Sequence, residues 1–289
     1  MPELPEVEAQ RRSLLAPVVG AVIARVEILR PDICDAADQS GVLHPPSAAD
    51  LCEGATIDRI DRRGKQMAMI ARDGRVMNVH LGMTGMLISL APGQSPAKHD
   101  HIHLRWHLVR QNKPVGTLIF RDPRRFGGVW TYPSIAALMQ HRWHVLGPDA
   151  LEVTGAHLHE RLRESERAVK AALLDQRVIA GVGNIYADES LFRAGVSPLA
   201  RCNRLSAARW DTIARTIREV MTHAITAGGS TLSDGTYTDS TGKAGGFQHE
   251  HKVYGRGSQP CVICKTTLRT KLVAQRTTVW CPCCQNVSC

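Results

Sequence analysis

Apolar positions fall into two regimes along this chain. Between residues 21 and 130 they come in short runs broken by turn residues. The runs at 21–26, 66–70, 76–80, 101–106 and 116–120 each read as a strand, and many short strands with glycine-rich turns predict a two-sheet sandwich. Residues 3–15 precede them as a helix that stops before Gly20. Residues 31–50, with Pro31, Pro45 and Pro46, read as loop, and residues 133–148 as a link between domains. Beyond the link the spacing turns helical. Trp210, Ile213, Ile217, Val220, Met221, Ala224 and Ile225 recur at three- and four-residue steps, with Ser206 as N-cap and Gly228-Gly229 as the stop. That stripe is read as core with no functional role. Residues 168–195 read as helix, tight turn, helix, the turn being Ala180-Gly181-Val182-Gly183, with Asn184 placed to cap the second helix. Such a pair can turn backbone N–H groups toward a phosphate. Residues 228–247, rich in Gly, Ser and Thr, read as a mobile loop.

Composition sharpens the picture in two respects. The 289 residues allow one large or two ordinary domains, and 43% apolar content is ample for a packed core. A formal charge of +9 and a pI near 9.3 suit an anionic partner. Nine cysteines would suggest disulfides in a secreted chain. Here no leader pattern is evident and no apolar run is long enough for a membrane span, so a cytoplasmic protein without a membrane partner is expected.

In that setting cysteine pairs mean metal. Cys261-x2-Cys264 is followed, after sixteen intervening residues, by Cys281-x2-Cys284, the spacing of a four-cysteine site holding one structural zinc per chain. Between the knuckles, residues 266–280 read as a basic β-hairpin suited to a polyanion. Cys283 and Cys289 fall outside the pattern, as free thiols or competing ligands. His99, His101 and His103 alternate as strand neighbours, but no acid or cysteine completes a metal set.

The other end offers two readings. Met1-Pro2-Glu3-Leu4-Pro5-Glu6 can be a plain helix start, with proline in the first turn and acids at the positive dipole end. Alternatively Met1 is removed and Pro2 becomes a free secondary amine. An α-amino group titrates at roughly 7.7–8.0, so a fraction is nucleophilic near neutrality and can form a Schiff base with a sugar aldehyde carbon.

Taken together, the two ends resemble the formamidopyrimidine-DNA glycosylase and endonuclease VIII group of base-excision repair enzymes. The resemblance spans nearly the whole chain. It rests on the MPELPEVE start, Arg62-Arg63-Gly64-Lys65, His80-Leu81-Gly82-Met83-Thr84-Gly85, Lys98-His99-Asp100-His101 and Asp122-Pro123-Arg124-Arg125-Phe126-Gly127. Leu146-Gly147-Pro148, Lys170-Ala171-Ala172-Leu173-Leu174-Asp175-Gln176, Gly181-Val182-Gly183-Asn184-Ile185-Tyr186-Ala187 and Val253-Tyr254-Gly255-Arg256 continue it.

The resemblance implies a multidomain α+β fold. A catalytic domain (1–132) of N-terminal helix plus two-sheet sandwich is joined by a linker (133–152) to a helix-two-turn-helix domain (153–247). A damage-capping loop (229–247) and a C-terminal zinc ribbon (248–289) follow. It implies a monomer acting on damaged double-stranded DNA, associated with the nucleoid. Pro2 would attack C1′ of a flipped nucleotide, Glu3 would move protons at the sugar, and Glu6 would be a further pocket acid. Lys65 matches the general acid of β-elimination, and Arg276 the hairpin residue of δ-elimination. Arginine hardly deprotonates, so electrostatic stabilisation of the leaving phosphate is the better reading. Met83, Arg124 and Phe126 match the wedges that fill the vacated stack. Arg125, Lys170 and Asn184 match phosphate contacts, and His99 a DNA-contacting histidine. Ser165 departs from a position often basic in the family, with Arg167 as a substitute. The long loop favours oxidised purines such as 8-oxoguanine and formamidopyrimidines. The alternatives are an endonuclease VIII-type specificity for oxidised pyrimidines, and a non-catalytic zinc-ribbon damage sensor.

Overall fold

The computed structural model describes residues 2–231 and 237–286. The chain forms two compact units: Met1–Val145 with Gly228–Gly245, and Leu146–Ala227 with Gly246–Cys289.

The first unit opens with α1 (Leu4–Val18), entered from an extended Glu3 and carrying Pro5 in its first turn, where a missing N–H costs nothing. Ten strands follow: β1 (Val22–Ile28), β2 (Cys34–Ala37), β3 (Leu43–His44), β4 (Ile57–Arg63), β5 (Gln66–Ala71), β6 (Val76–His80), β7 (Met86–Leu90), β8 (Ile102–Arg110), β9 (Lys113–Arg121) and β10 (Gly128–Tyr132). They form a four-stranded sheet, β1-β8-β9-β7, and a six-stranded sheet, β3-β2-β10-β6-β5-β4. All pairings are antiparallel except β2 with β10. Trp106, Phe120 and Leu87 of the smaller sheet and Met67, Met69 and Val79 of the larger one share one core with Val7, Leu14 and Val18 of α1.

The sandwich and its helix agree with expectation; the surroundings add detail. Residues 31–50, expected as loop, contain β2 and β3. Residues 133–148, expected as a link, contain α2 (Ile135–His141), capped by the Ser134 hydroxyl, which accepts from the Ala137 N–H. In β4 the pairing register shifts between Ile57 and Arg59. This bulge lets Ile57 and Ile60, three residues apart, both face inward.

Segment 228–245 belongs to this first unit and lies along α1. Gln10 Nε2 donates to the carbonyls of Leu87 (3.2 Å) and Thr238 (3.4 Å). Ser240 Oγ donates to Ser13 Oγ at 2.7 Å. Residues 232–236, the middle of the expected capping loop, lie outside the described residues.

The second unit holds α3 (Gly155–Leu162), α4 (Val169–Leu173), α5 (Asn184–Arg193) and α6 (Ala207–Thr226), then a hairpin of β11 (Arg269–Val273) and β12 (Arg276–Trp280). The periodic stripe is core: Trp210, Ile213, Ile217, Val220, Met221 and Ala224 are all buried. Ser206 caps α6, its hydroxyl accepting from Arg209 N–H. Two adjacent buried acids of α5 tie the helices to the ribbon. Asp188 Oδ2 accepts from Val279 N–H at 3.0 Å, and Glu189 accepts from the N–H groups of Lys252, Val253 and Tyr254 at 2.9–3.0 Å.

Candidate active site and nucleic-acid interface

In the first unit three of the residues expected to carry chemistry lie at the N-terminus of α1. Pro2 is buried, as are Glu3 and Glu6. Glu6 Oε2 accepts from Glu3 N–H at 2.8 Å, and Glu6 Oε1 accepts from Ser230 N–H at 2.8 Å. The Tyr237 hydroxyl donates to the Glu6 carbonyl. Glu6 therefore anchors both the chain start and the returning segment. Gly229, with φ +80°, permits this approach: a Cβ there would lie 2.9 Å from Glu6 Oε1.

Lys65 occupies the two-residue turn between β4 and β5 and is mostly buried. His80, at the end of β6, pairs with Gln66 just beyond that turn. Burial first, then the positive charges of Arg142 and Lys65, hold the His80 imidazole down at about 4. It is neutral at physiological pH and adds no charge near Lys65.

The expected wedge residues sit on two turns clamped together. Met83 lies between β6 and β7, and Arg124 and Phe126 between β9 and β10. Phe126 is 55% exposed, which sets it at a surface tip and removes it from the core. The Arg124 guanidinium lies 4.8 Å over its ring. Behind the tip, Asp122 is fully buried. Its carboxylate accepts from Thr84 Oγ1 (2.6 Å), Gly127 N–H (2.7 Å) and Arg124 N–H (3.3 Å). The two backbones touch, for a Cβ on Gly82 (φ +60°) would fall 2.3 Å from the Gly127 nitrogen. Arg125 is exposed and pairs with Asp32 at 3.3 Å. His99 is exposed, but His101 adopts φ +59° in a turn and β8 starts only at Ile102, so the three histidines are not strand neighbours.

In the second unit, Arg276 is exposed at the tip of the β11–β12 hairpin, where Ala274 and Gln275 take left-handed conformations suited to a two-residue turn. A cleft of about 500 Å³ beside it is lined by Asn184, Tyr254, Gly257, Gln275, Arg276 and Thr277. Lys170 requires a correction. Expected at a phosphate, it is fully buried, its ammonium 2.7 Å from Asp188 Oδ1 and donating to Thr277 O at 3.3 Å. Burial pushes the Asp188 carboxyl up to about 7, against the pull of Lys170. Asn184 is not the cap of α5. Gly183 holds that position, and Asn184 Nδ2 reaches the same Thr277 carbonyl at 3.1 Å. Both side chains thus brace the residue next to Arg276. Arg167 pairs with Asp175 at 3.0 Å and reaches Ser165 Oγ at 3.3 Å.

The sulfurs of Cys261, Cys264, Cys281 and Cys284 all lie within 4.8 Å of one another, the one such ligand group among the described residues. Cys261 and Cys284 are 3.9 Å apart, and Cys264 and Cys281 3.4 Å. Tetrahedral zinc with bonds of about 2.3 Å needs sulfurs at about this separation. Backbone N–H groups of Ile263 and Cys284 point at Cys261 and Cys281 Sγ, an orientation that favours thiolates. Cys283 is exposed and outside the group, and Cys289 lies outside the described residues.

A family model described as the formamidopyrimidine-DNA glycosylase N-terminal domain matches residues 1–129, and one described as the H2TH domain of the same enzyme matches residues 146–236. The chain belongs to the formamidopyrimidine-DNA glycosylase family. The formamidopyrimidine-DNA glycosylase of Teredinibacter turnerae is 40% identical over 291 residues, covering 99% of this chain and 100% of the relative. The crystal structure of the MutM (Fpg) protein of Thermus thermophilus is 38% identical, with a TM-score of 0.84 over 98% of each chain. A structure of MutM in complex with DNA containing carbocyclic 8-oxo-G is 30% identical, with a TM-score of 0.83 over 99% of this chain and 100% of that one. Buried acids to which the sequence assigns no role are Glu8, Asp122, Asp188 and Glu189, whose burial a polar letter does not announce. The available signal was basic residues at helical spacing from Glu8, at Arg11 and Arg12.

Proposed function

We propose that this chain is a bifunctional DNA-repair enzyme that excises oxidised purines, 8-oxoguanine and formamidopyrimidines, from duplex DNA and then cleaves the abasic strand. One observation carries the reading: a buried Pro2 and Glu3 at the start of α1, held by Glu6, in the unit that also carries Lys65.

With Met1 removed, the Pro2 nitrogen attacks C1′ of a flipped nucleotide. The bond from C1′ to the base breaks, its electrons leave with the base, and a proton is delivered there. Ring opening leaves an iminium between Pro2 and C1′, which acidifies C2′. Loss of a C2′ proton expels the 3′ phosphate, and a second elimination expels the 5′ phosphate. Glu3 carries protons at the sugar, and Lys65 is the acid of the first elimination. Arg276 stabilises the phosphate leaving last. Met83, Arg124 and Phe126 fill the vacated stack, while Arg125, His99 and Asn184 contact the DNA backbone. The four cysteines hold one zinc, which fixes the hairpin that presents Arg276. The enzyme acts as a monomer, in the cytoplasm at the nucleoid. Its boundaries are a catalytic domain over 1–132, a linker, a helical DNA-binding domain from 153 and a ribbon from 248.

Substrate choice lies in the segment 229–247, whose hydroxyls and amides can hydrogen-bond a flipped purine. Shortening it to Gly-Ser should reduce 8-oxoguanine release strongly and spare cleavage of a pre-formed abasic site. Equal release of 8-oxoguanine and thymine glycol, with neither rate changed by the deletion, would contradict the purine assignment.

A further inference from the structure

The mechanism leaves one buried charge cluster unused. Glu8, on the second turn of α1, is nearly buried, as is Arg62 at the end of β4. Glu8 Oε1 lies 2.8 Å from both Arg11 Nη2 and Arg12 Nε. Its Oε2 accepts from Arg11 Nε at 2.9 Å and from Arg62 Nε at 3.1 Å. Arg62 then uses a second nitrogen, Nη1, to donate to the Gly64 carbonyl at 3.0 Å. That carbonyl belongs to the peptide bond leading into Lys65. A continuous path of hydrogen bonds therefore joins the nucleophile's helix to the turn that carries the lysine.

We propose that Glu8 and Arg62 are positioning residues, which hold the Gly64-Lys65 turn at a fixed place relative to the α1 N-terminus. Three features favour this over a purely stabilising pair. A buried ion pair adds little net stability compared with well-packed apolar residues, whereas it fixes geometry. The planar fork of arginine fixes the angle and spacing between a carboxylate and a carbonyl, which the flexible point charge of a lysine does not. And Arg11 reaches the Ile60 carbonyl at 3.0 Å, so the same carboxylate steadies β4 at two points. The inference rests on the proposed role of Lys65.

The test compares Arg62→Lys, Glu8→Gln, Lys65→Ala and the double variant Arg62→Lys/Lys65→Ala. Each is assayed under single turnover for base release from an 8-oxoguanine duplex and for strand cleavage of that duplex and of a pre-formed abasic duplex, with thermal unfolding measured in parallel. Arg62→Lys and Glu8→Gln should lower strand cleavage of both duplexes roughly tenfold or more, since both pass through the elimination assigned to Lys65, and lower 8-oxoguanine release by less than about threefold, the split expected of Lys65→Ala. The double variant should be no slower than Lys65→Ala alone, since the strut acts through that lysine. Equal losses of base release and strand cleavage that follow the fall in unfolding temperature, or multiplied losses in the double variant, would overturn the strut. Should Arg62→Lys not fold, Glu8→Gln carries the same comparison. If Lys65→Ala itself shows no split, the role assigned to Lys65 fails; if it does and the strut variants do not, only the strut fails.

Discussion

At the scale of single residues, acids decide this molecule, and burial decides what each acid does. Glu6 spends both carboxylate oxygens on backbone N–H groups, Asp122 on a threonine hydroxyl and two N–H groups of its own turn, and Glu189 on three consecutive amides. Glu8 is the clearest case. Burial raises its carboxyl, but hydrogen bonds to Arg11 and Arg12 and the charges of Arg11 and Arg62 outweigh that and hold it at about 2. A carboxylate lowered in the folded state adds stability above its unfolded value, near 4.5, and loses it as pH falls toward 2. The stability difference between wild type and Glu8→Gln should be larger at pH 7 than at pH 3 by roughly 1–2 kcal/mol. Urea unfolding at the two pH values measures it, and a difference independent of pH would contradict the burial-and-arginine account.

Elements are legible in the sequence to the extent that their burial follows one period. The α6 stripe, with Trp210, Ile213 and Ile217, is plain because a single helix face meets the core. The cysteine pairs are plain because ligand spacing is set by the metal. By contrast β4 is opaque: Ile57 and Ile60 are three apart in a run of charges, and only the bulge reconciles that spacing with a strand. Lys170 misleads for a related reason. A lysine in a motif looks available, and nothing in the sequence shows that Asp188, eighteen positions on, waits inside the fold. At the ribbon, one zinc per chain is expected. Cys261→Ser should remove it and weaken binding to damaged duplex roughly tenfold, the scale of one charge-assisted contact by Arg276. The rest of the chain should stay folded and Cys283→Ser should keep its zinc. Metal analysis showing loss with Cys283→Ser, or retention with Cys261→Ser, would contradict the ligand set.

For the whole molecule, an excess of 36 Lys and Arg over 27 Asp and Glu gives the +9 charge that suits a polyanion. Among the described residues, no helix is long and apolar enough to cross a membrane. The chain is divided so that each unit carries part of the proposed chemistry. The first has Pro2, Glu3, Lys65 and the wedge turns, and the second has Arg276 and the cysteine site. The central claim is that the reaction runs through a free Pro2. It is tested most directly by borohydride reduction during reaction with an 8-oxoguanine duplex, followed by digestion and mass measurement of the cross-linked peptide. The predicted result is a sugar fixed to a peptide that begins at Pro2, with Pro2→Gly losing most of the adduct. An adduct on Lys65, or full trapping by protein that retains Met1, would contradict it.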